Sequence, residues 1–159
     1  MNNNQDVFEY MRNLKIVTNK KYIIIHHSLT KDGSTNDWNA IRTYHINVNG
    51  WDDIGYNLGV EYIGSRIIYQ LGRDFNLNGA HTIGRNVDSI GICVVGNWDI
   101  EEPPDNMLIC TAHLCFEVMK KYNISIENIH PHWAYAEKTC PGKMFDMLKL
   151  RRYIKGEVV

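Results

Sequence analysis

The stretch YIIIHH at residues 22–27 decides the fold of this chain. Its continuous apolar character, its β-branched residues and its length favour a strand buried in the middle of a sheet. A polar loop with a glycine follows at residues 28–35. Open α/β sheets place their ligands at the carboxyl ends of such strands, so His26, at the end of the apolar run, is a candidate site residue.

Helical and strand periodicities alternate along the rest of the chain. We predict a short helix at 6–14, a helix from Asn36 (capped by Asn36 or Thr35) to Asn49-Gly50, a hairpin of 56–63 and 66–71, a strand at 89–96, a helix at 105–122 after Pro103-Pro104, a polar loop at 128–142 and a helix at 143–155. This order predicts a mixed α/β fold, with a central mixed β-sheet flanked by helices on both sides.

Three of these helices carry apolar stripes that predict their buried faces. In the helix that starts at Asn36 the stripe is Trp38, Ile41, His45 and Val48. In the helix at 105–122 it is Leu108, Ala112, Cys115, Met119 and Tyr122, and in the helix at 143–155 it is Met144, Met147, Leu148 and Ile154.

Length and charge restrict the class of protein. The 159 residues fit one domain (1–159), in which we interpret residues 1–20 as an N-terminal extension with a short helix. The 44% hydrophobic and 22% charged residues exclude a disordered chain and a coiled coil. A net charge of -1 argues against a general binder of nucleic acid or anionic membranes. No apolar run approaches the roughly 20 residues of a membrane span.

The N-terminus and the cysteines indicate the compartment. The first residues lack the basic and apolar regions of a secretory signal, and the four cysteines contain no CxxC pair. We therefore expect synthesis in the cytoplasm with reduced thiols.

Three residues suggest a metal site. His26 ends the central strand, and His132 and Cys140 lie eight residues apart in the loop before the last helix. Two imidazoles and a thiolate are good zinc ligands, and a catalytic zinc site uses three protein ligands and keeps a fourth position for water. A single histidine is more often structural, however, and the chain has no HExxH motif.

Four segments in order carry a resemblance to a known family. They are IIIHHS at 23–28, GWDDIGYNLGV at 50–60, GAHTIGRNVDSIGICVVGNW at 79–98 and HPHWAYAEKTCPG at 130–142. Together they resemble the zinc-dependent N-acetylmuramoyl-L-alanine amidase family, which includes phage lysozyme-type amidases and animal peptidoglycan recognition proteins. The resemblance spans about residues 20–155 and implies the fold predicted above.

The resemblance also implies the site. His26, His132 and Cys140 match the family's ligands for one Zn²⁺ per chain. Tyr56 resembles the active-site tyrosine and Lys138 the lysine of the phage-type members. His81 resembles a histidine that borders the substrate groove.

The implied reaction is zinc-dependent hydrolysis of the amide bond between N-acetylmuramic acid and L-alanine. Zinc and Lys138 would stabilise the developing oxyanion, and Tyr56 would orient the water or accept a proton from it. We expect peptidoglycan as the partner, no nucleic acid, no membrane insertion and a monomer. The setting resembles that of an endolysin, made in the cytoplasm and acting on the cell wall, with an exported bacterial remodelling enzyme as the alternative.

Two other functional classes stay open. Some family members that lack the cysteine ligand bind peptidoglycan without cutting it, so a non-catalytic recognition module is the main alternative. A regulatory partner protein is the third. We expect the remaining histidines and cysteines to be structural, with His27 on the opposite strand face from His26 and His130 in a loop; the others are His45, His113, Cys93, Cys110 and Cys115.

Overall fold

The computed structural model describes residues 4–30 and 37–157. Its helices and strands are α1 (Asn4–Asn13), β1 (Tyr22–His27), α2 (Asp37–Asn47), β2 (Leu58–Ile63), β3 (Arg66–Leu71), β4 (Ser89–Val94), α3 (Asp105–Tyr122), β5 (Ile129–Pro131) and α4 (Met147–Ile154). Short 3₁₀ turns occupy Ile126–Asn128 and His132–Ala134. The five strands form one sheet in the order β3-β2-β4-β1-β5, in which only the β2–β3 pair is antiparallel. The predicted mixed sheet is confirmed.

The two faces of the sheet have different environments. Ile23 and Ile25 of β1 enter a large core that also receives side chains from α1, α3 and α4. Alternation along the strand directs His26 to the other face. There its neighbour in register, Cys93 of β4, packs in a smaller cluster with Trp38 of α2. Helices therefore cover both faces, as predicted, and His26 lies on the α2 side. None of the helices that the structure describes has the length and apolar character of a bilayer-spanning helix.

The strand β5 was not predicted. Its three residues fall inside the segment that we expected to be a loop, and they pair in parallel with β1 so that Ile25 lies opposite Pro131. Three residues that end in proline are too few to show a strand periodicity. Proline is tolerated in this edge strand because no neighbouring strand on the outer side needs its missing N–H. His130 is therefore a strand residue rather than a loop residue, and its ring contacts the Tyr135 hydroxyl.

The last helix begins later than predicted. The Asp146 carboxylate accepts a hydrogen bond from the Lys149 backbone N–H at 2.9 Å and caps α4, so the helix starts at Met147. The buried stripe consists of Met147, Leu150 and Ile154. The predicted burial of Met144 and Leu148 is wrong, since these side chains are 41% and 72% exposed.

The other boundaries agree closely with the predictions. The first hairpin strand begins at Leu58 rather than Tyr56, and β4 ends at Val94 rather than Gly96. The proposed caps Thr35 and Asn36 lie outside the described residues. Val48 is 65% exposed, against the predicted stripe, because α2 ends at Asn47.

A buried carboxylate holds the start of α2. Glu61 of β2 is fully buried, and its carboxylate accepts hydrogen bonds from the backbone N–H groups of Asp37 and Trp38 and from Gln70 Nε2. Negative charge is favourable at a helix N-terminus. Gly59 faces the same helix, because a Cβ there would lie 2.3 Å from the Trp38 ring. These contacts hold α2 against the face of the sheet on which His26 lies.

Glu61→Gln should remove a pH dependence from stability. Burial raises the pKa of Glu61 above its ordinary value of 4.5, so the folded state favours the protonated form. That contribution is fully present below the unfolded pKa and is lost as the pH rises through the folded pKa. Above pH 4.5 the free energy of unfolding of the wild type should therefore fall relative to that of Glu61→Gln. The fall is about 1.4 kcal/mol for each tenfold difference in the proton affinity of Glu61 between the folded and the unfolded state.

Urea unfolding of both proteins between pH 4 and 8 measures this difference. Glu101→Gln, at an exposed carboxylate, serves as the control. A wild-type minus Glu61→Gln difference that stays constant with pH would contradict the raised pKa of Glu61.

Candidate metal centre

Three potential metal ligands meet at the carboxyl edge of the sheet. Ile25 and Pro131 are paired, so the next residues of the two chains, His26 and His132, lie side by side with ring centroids 4.5 Å apart. Cys140 approaches from the following loop, with its Sγ 3.7 Å from His26 Nδ1. The ligand atoms of His26, His132 and Cys140 all lie within 4.8 Å of one another, and all three residues are buried.

The loop that carries Cys140 is fastened on both sides of the cysteine. The Asp99 carboxylate accepts hydrogen bonds from Thr139 Oγ1 and from the Lys143 backbone N–H, each at 2.9 Å. The bond from Lys143 is the largest cause that lowers the pKa of Asp99. The His27 backbone N–H points at the Cys140 sulfur from 3.4 Å, where it can stabilise a thiolate.

The donor chemistry fits a zinc ion. Burial lowers the pKa of His26 well below its ordinary value and that of His132 to about 4, so both imidazoles are neutral and carry a free lone pair. Burial also raises the pKa of the Cys140 thiol to about 12, which a bound cation would reverse. Nitrogen and sulfur ligands of one tetrahedral zinc lie about 3.6 Å apart, close to the 3.7 Å between His26 Nδ1 and Cys140 Sγ.

A groove passes over this cluster. Its central cavity of about 220 Å³ has the three donors at its base and Trp51, Tyr56, His81 and Lys138 in its walls. A hollow of about 340 Å³ adjoins it along α2, and another of about 700 Å³ adjoins it between residues 80–86 and 132–138. An extended ligand can therefore cross the metal centre.

The two predicted catalytic side chains line the central cavity. The Tyr56 ring lies 5.1 Å from the His26 ring and packs against the cluster that contains the buried Cys93. Burial raises the pKa of Tyr56 well above its ordinary value, so the phenol keeps its proton. Lys138 is exposed at the rim, and its charge adds to burial in lowering the pKa of His132.

His81 lies in the groove wall, but its ring nitrogens face the protein. Its Nδ1 is 2.9 Å from His26 Nε2 and 2.9 Å from Thr82 Oγ1, and its Nε2 is 3.4 Å from Ser89 Oγ. Only 9% of the residue is exposed, and burial lowers the pKa of His81 to about 3. The sequence predicted that His81 borders the groove and gave no sign of its contact with His26.

Most of the other histidines have structural partners. His27 is buried, and its Nδ1 accepts a hydrogen bond from the Trp98 backbone N–H at 3.2 Å. His113 stacks on Phe8 with centroids 4.6 Å apart. His45 accepts a hydrogen bond from the Gly55 backbone N–H, yet it also lines the cavity, which its place on the helical stripe did not predict.

The sequence matches one family model and resembles two groups of known proteins. The family model described as N-acetylmuramoyl-L-alanine amidase matches residues 17–143. Peptidoglycan-recognition protein LB of Drosophila melanogaster is 34% identical over 128 residues, which are 76% of this chain and 54% of that protein. The chain thus spans about half the length of that relative. The endolysin of Enterobacteria phage T3 is 32% identical over 143 residues, 86% of this chain and 87% of the endolysin.

Solved structures show the same fold. The endolysin N-acetylmuramoyl-L-alanine amidase LysCS from Clostridium intestinale superimposes with a TM-score of 0.75 at 25% identity, over 87% of this chain and 85% of that one. Peptidoglycan recognition protein-LE in complex with tracheal cytotoxin, a monomeric diaminopimelic acid-type peptidoglycan, superimposes with a TM-score of 0.70 at 28% identity, over 83% and 79%.

Proposed function

The chain belongs to the N-acetylmuramoyl-L-alanine amidase family, and from this premise we propose that it hydrolyses the amide bond between N-acetylmuramic acid and L-alanine in bacterial peptidoglycan, with one zinc ion. One observation carries the proposal: His26, His132 and Cys140 bring their ligand atoms within 4.8 Å at the base of a cavity that Tyr56 and Lys138 also line.

The proposed reaction divides the work among these residues. A zinc ion held by the three ligands would polarise the scissile carbonyl and acidify a water molecule. The Lys138 ammonium, at the rim, would stabilise negative charge that develops on the carbonyl oxygen. Tyr56, whose ring lies 5.1 Å from that of His26, would orient the attacking water or accept a proton from it.

The groove supports a muropeptide as the substrate. The two hollows that adjoin the central cavity offer room for the stem peptide and the glycan that flank the scissile bond. Tracheal cytotoxin, the ligand of the structurally similar recognition protein-LE, belongs to the same class of compound.

A non-catalytic recognition module is the second candidate, favoured by the 34% identity with a peptidoglycan-recognition protein. We prefer the enzyme because the donor set is complete and both proposed catalytic side chains line its cavity. The similarity to the phage T3 endolysin along 87% of its length supports an endolysin role, in which a single-domain monomer made in the cytoplasm reaches the cell wall.

Digestion of purified muropeptides tests the activity. The wild type should bind one zinc per chain and release free stem peptides that begin with L-alanine, detected by mass spectrometry. Cys140→Ser replaces the thiolate by a hydroxyl that zinc binds weakly, so zinc content and turnover should fall together while the thermal midpoint of the metal-free protein stays close to that of the wild type.

Three results would contradict the proposal. New reducing sugar ends would indicate a glycosidase. Full activity after chelation would exclude zinc as the cofactor. Binding of muropeptides by the zinc-loaded wild type without cleavage would favour the recognition module.

Lys138→Ala and Tyr56→Phe should each lower turnover without lowering zinc binding. Each removes a group that acts on the reacting atoms, and loss of one such donor costs about 10²–10³ in rate. Zinc content should stay at one per chain. Lys143→Ala, on the same loop, and Tyr153→Phe, on α4, are matched controls outside the cavity. Turnover near that of the wild type in both variants would refute the assigned roles.

A further inference from the structure

The two ring nitrogens of His26 face different partners. Its Nδ1 lies 3.7 Å from Cys140 Sγ, on the side of the metal centre. Its Nε2 points away from the centre and lies 2.9 Å from His81 Nδ1. A neutral imidazole carries one proton, so His26 can offer Nδ1 to a metal only while that proton resides on Nε2.

The hydrogen bonds beyond His81 determine where that proton lies. Ser89 Oγ is 2.6 Å from the Arg85 carbonyl oxygen, which can only accept, so the single hydroxyl proton of Ser89 points there. Ser89 Oγ can then only accept, and its distance of 3.4 Å from His81 Nε2 favours a proton on that nitrogen. This leaves His81 Nδ1 without a proton, and it accepts from His26 Nε2–H at 2.9 Å. Thr82 Oγ1, 2.9 Å from His81 Nδ1 and 3.3 Å from His26 Nε2, offers the same N–H a second acceptor. The chain of donors and acceptors therefore leaves His26 Nδ1 free to bind a metal.

The His81 ring is closely packed against two glycines. A Cβ on Gly91 of β4 would lie 2.7 Å from ring carbons of His81, and a Cβ on Gly79 would lie 2.6 Å from them, so both positions need glycine. Asn86 Oδ1 accepts hydrogen bonds from the backbone N–H groups of His81 and Thr82, at 2.9 and 2.8 Å. The ring is thus packed against Gly91 and Gly79, and the backbone of His81 is held by Asn86.

A buried lysine secures the rest of this segment. Lys20 is 1% exposed, and its Nζ donates hydrogen bonds to the carbonyl oxygens of Leu77 and Val87, at 3.2 and 2.9 Å. These bonds fix both ends of the segment that carries His81.

We propose that His81 is a positioning residue that accepts the Nε2–H of His26 and so holds His26 in the tautomer whose Nδ1 binds the metal. The inference rests on the proposed function, because it takes His26 as a ligand. Partners that orient a histidine ligand typically affect metal affinity by about 10- to 100-fold, so His81→Ala should weaken zinc binding by that factor.

The test compares four variants with the wild type. His81→Ala removes the acceptor, and His81→Asn restores one, because its Oδ1 is attached to Cγ as Nδ1 is in histidine. Ser89→Ala removes the group that sets the His81 tautomer. His113→Ala is the matched control, a histidine on α3 that stacks on Phe8 and does not line the cavity. Zinc affinity is measured by competition with a chromophoric chelator, and the His26 tautomer by ¹H–¹⁵N NMR of the ring nitrogens in the metal-free protein.

The inference predicts a distinct pattern. His81→Ala should lose 10- to 100-fold in zinc affinity and gain a population of His26 with the proton on Nδ1, while His81→Asn and His113→Ala stay within a few-fold of the wild type. If His81→Ala does not fold, Ser89→Ala should show the same two changes to a smaller extent.

Wild-type zinc affinity and an unchanged His26 tautomer in both His81→Ala and Ser89→Ala would overturn the inference and would leave His81 as a groove residue only. A wild type that binds no zinc would instead contradict the proposed function. The two failures are therefore distinguishable without any assay of turnover.

Discussion

Parallel pairing between β1 and β5 holds the two histidines of the metal centre side by side. The pairing is short, with Ile25 opposite Pro131 as its last step, and the chain on each side continues directly into His26 and His132. Because β1 is a central strand with β4 on its other side, the position of His26 is fixed by the core of the protein. The loop that carries Cys140 then packs against the sheet edge that holds the two histidines, and hydrogen bonds to Asp99 keep the loop in this position.

Three residues on the face of the sheet below the groove, Gly59, Gly91 and Cys93, are small for a physical reason. Large side chains from other elements lie on it, and they need space. Gly59 admits the ring of Trp38 and Gly91 admits the ring of His81, while Cys93 belongs to the cluster against which Tyr56 packs. The opposite face carries the isoleucines and valines of the main core. One face of the sheet thus contributes most of the burial, and the other positions the side chains of the site.

The sequence predicted what depends on local pattern and on the four resembling segments. The buried strand at 22–27, the helix at 105–122 and the three converging donors are confirmed as elements and as a cluster. The strand β5 could not be predicted, because three residues ending in proline owe their conformation to the neighbouring β1. The start of α4 depended on the cap at Asp146, which leaves Met144 outside the helix. The buried stripe of α4 consists of Met147, Leu150 and Ile154, so Leu148 faces solvent. The contact between His81 and His26 joins residues 55 apart in the chain, and only the glycines around the His81 ring leave a trace of it in the sequence.

X-ray absorption spectroscopy of the zinc-loaded protein tests the central claim most directly, since it reports the atoms bound to the metal. A site made of His26, His132 and Cys140 predicts one sulfur at about 2.3 Å and two imidazole nitrogens at about 2.0 Å, with a further light ligand. The sulfur signal should disappear in Cys140→Ser. A wild-type spectrum without sulfur, or with two sulfur ligands, would contradict the proposed centre.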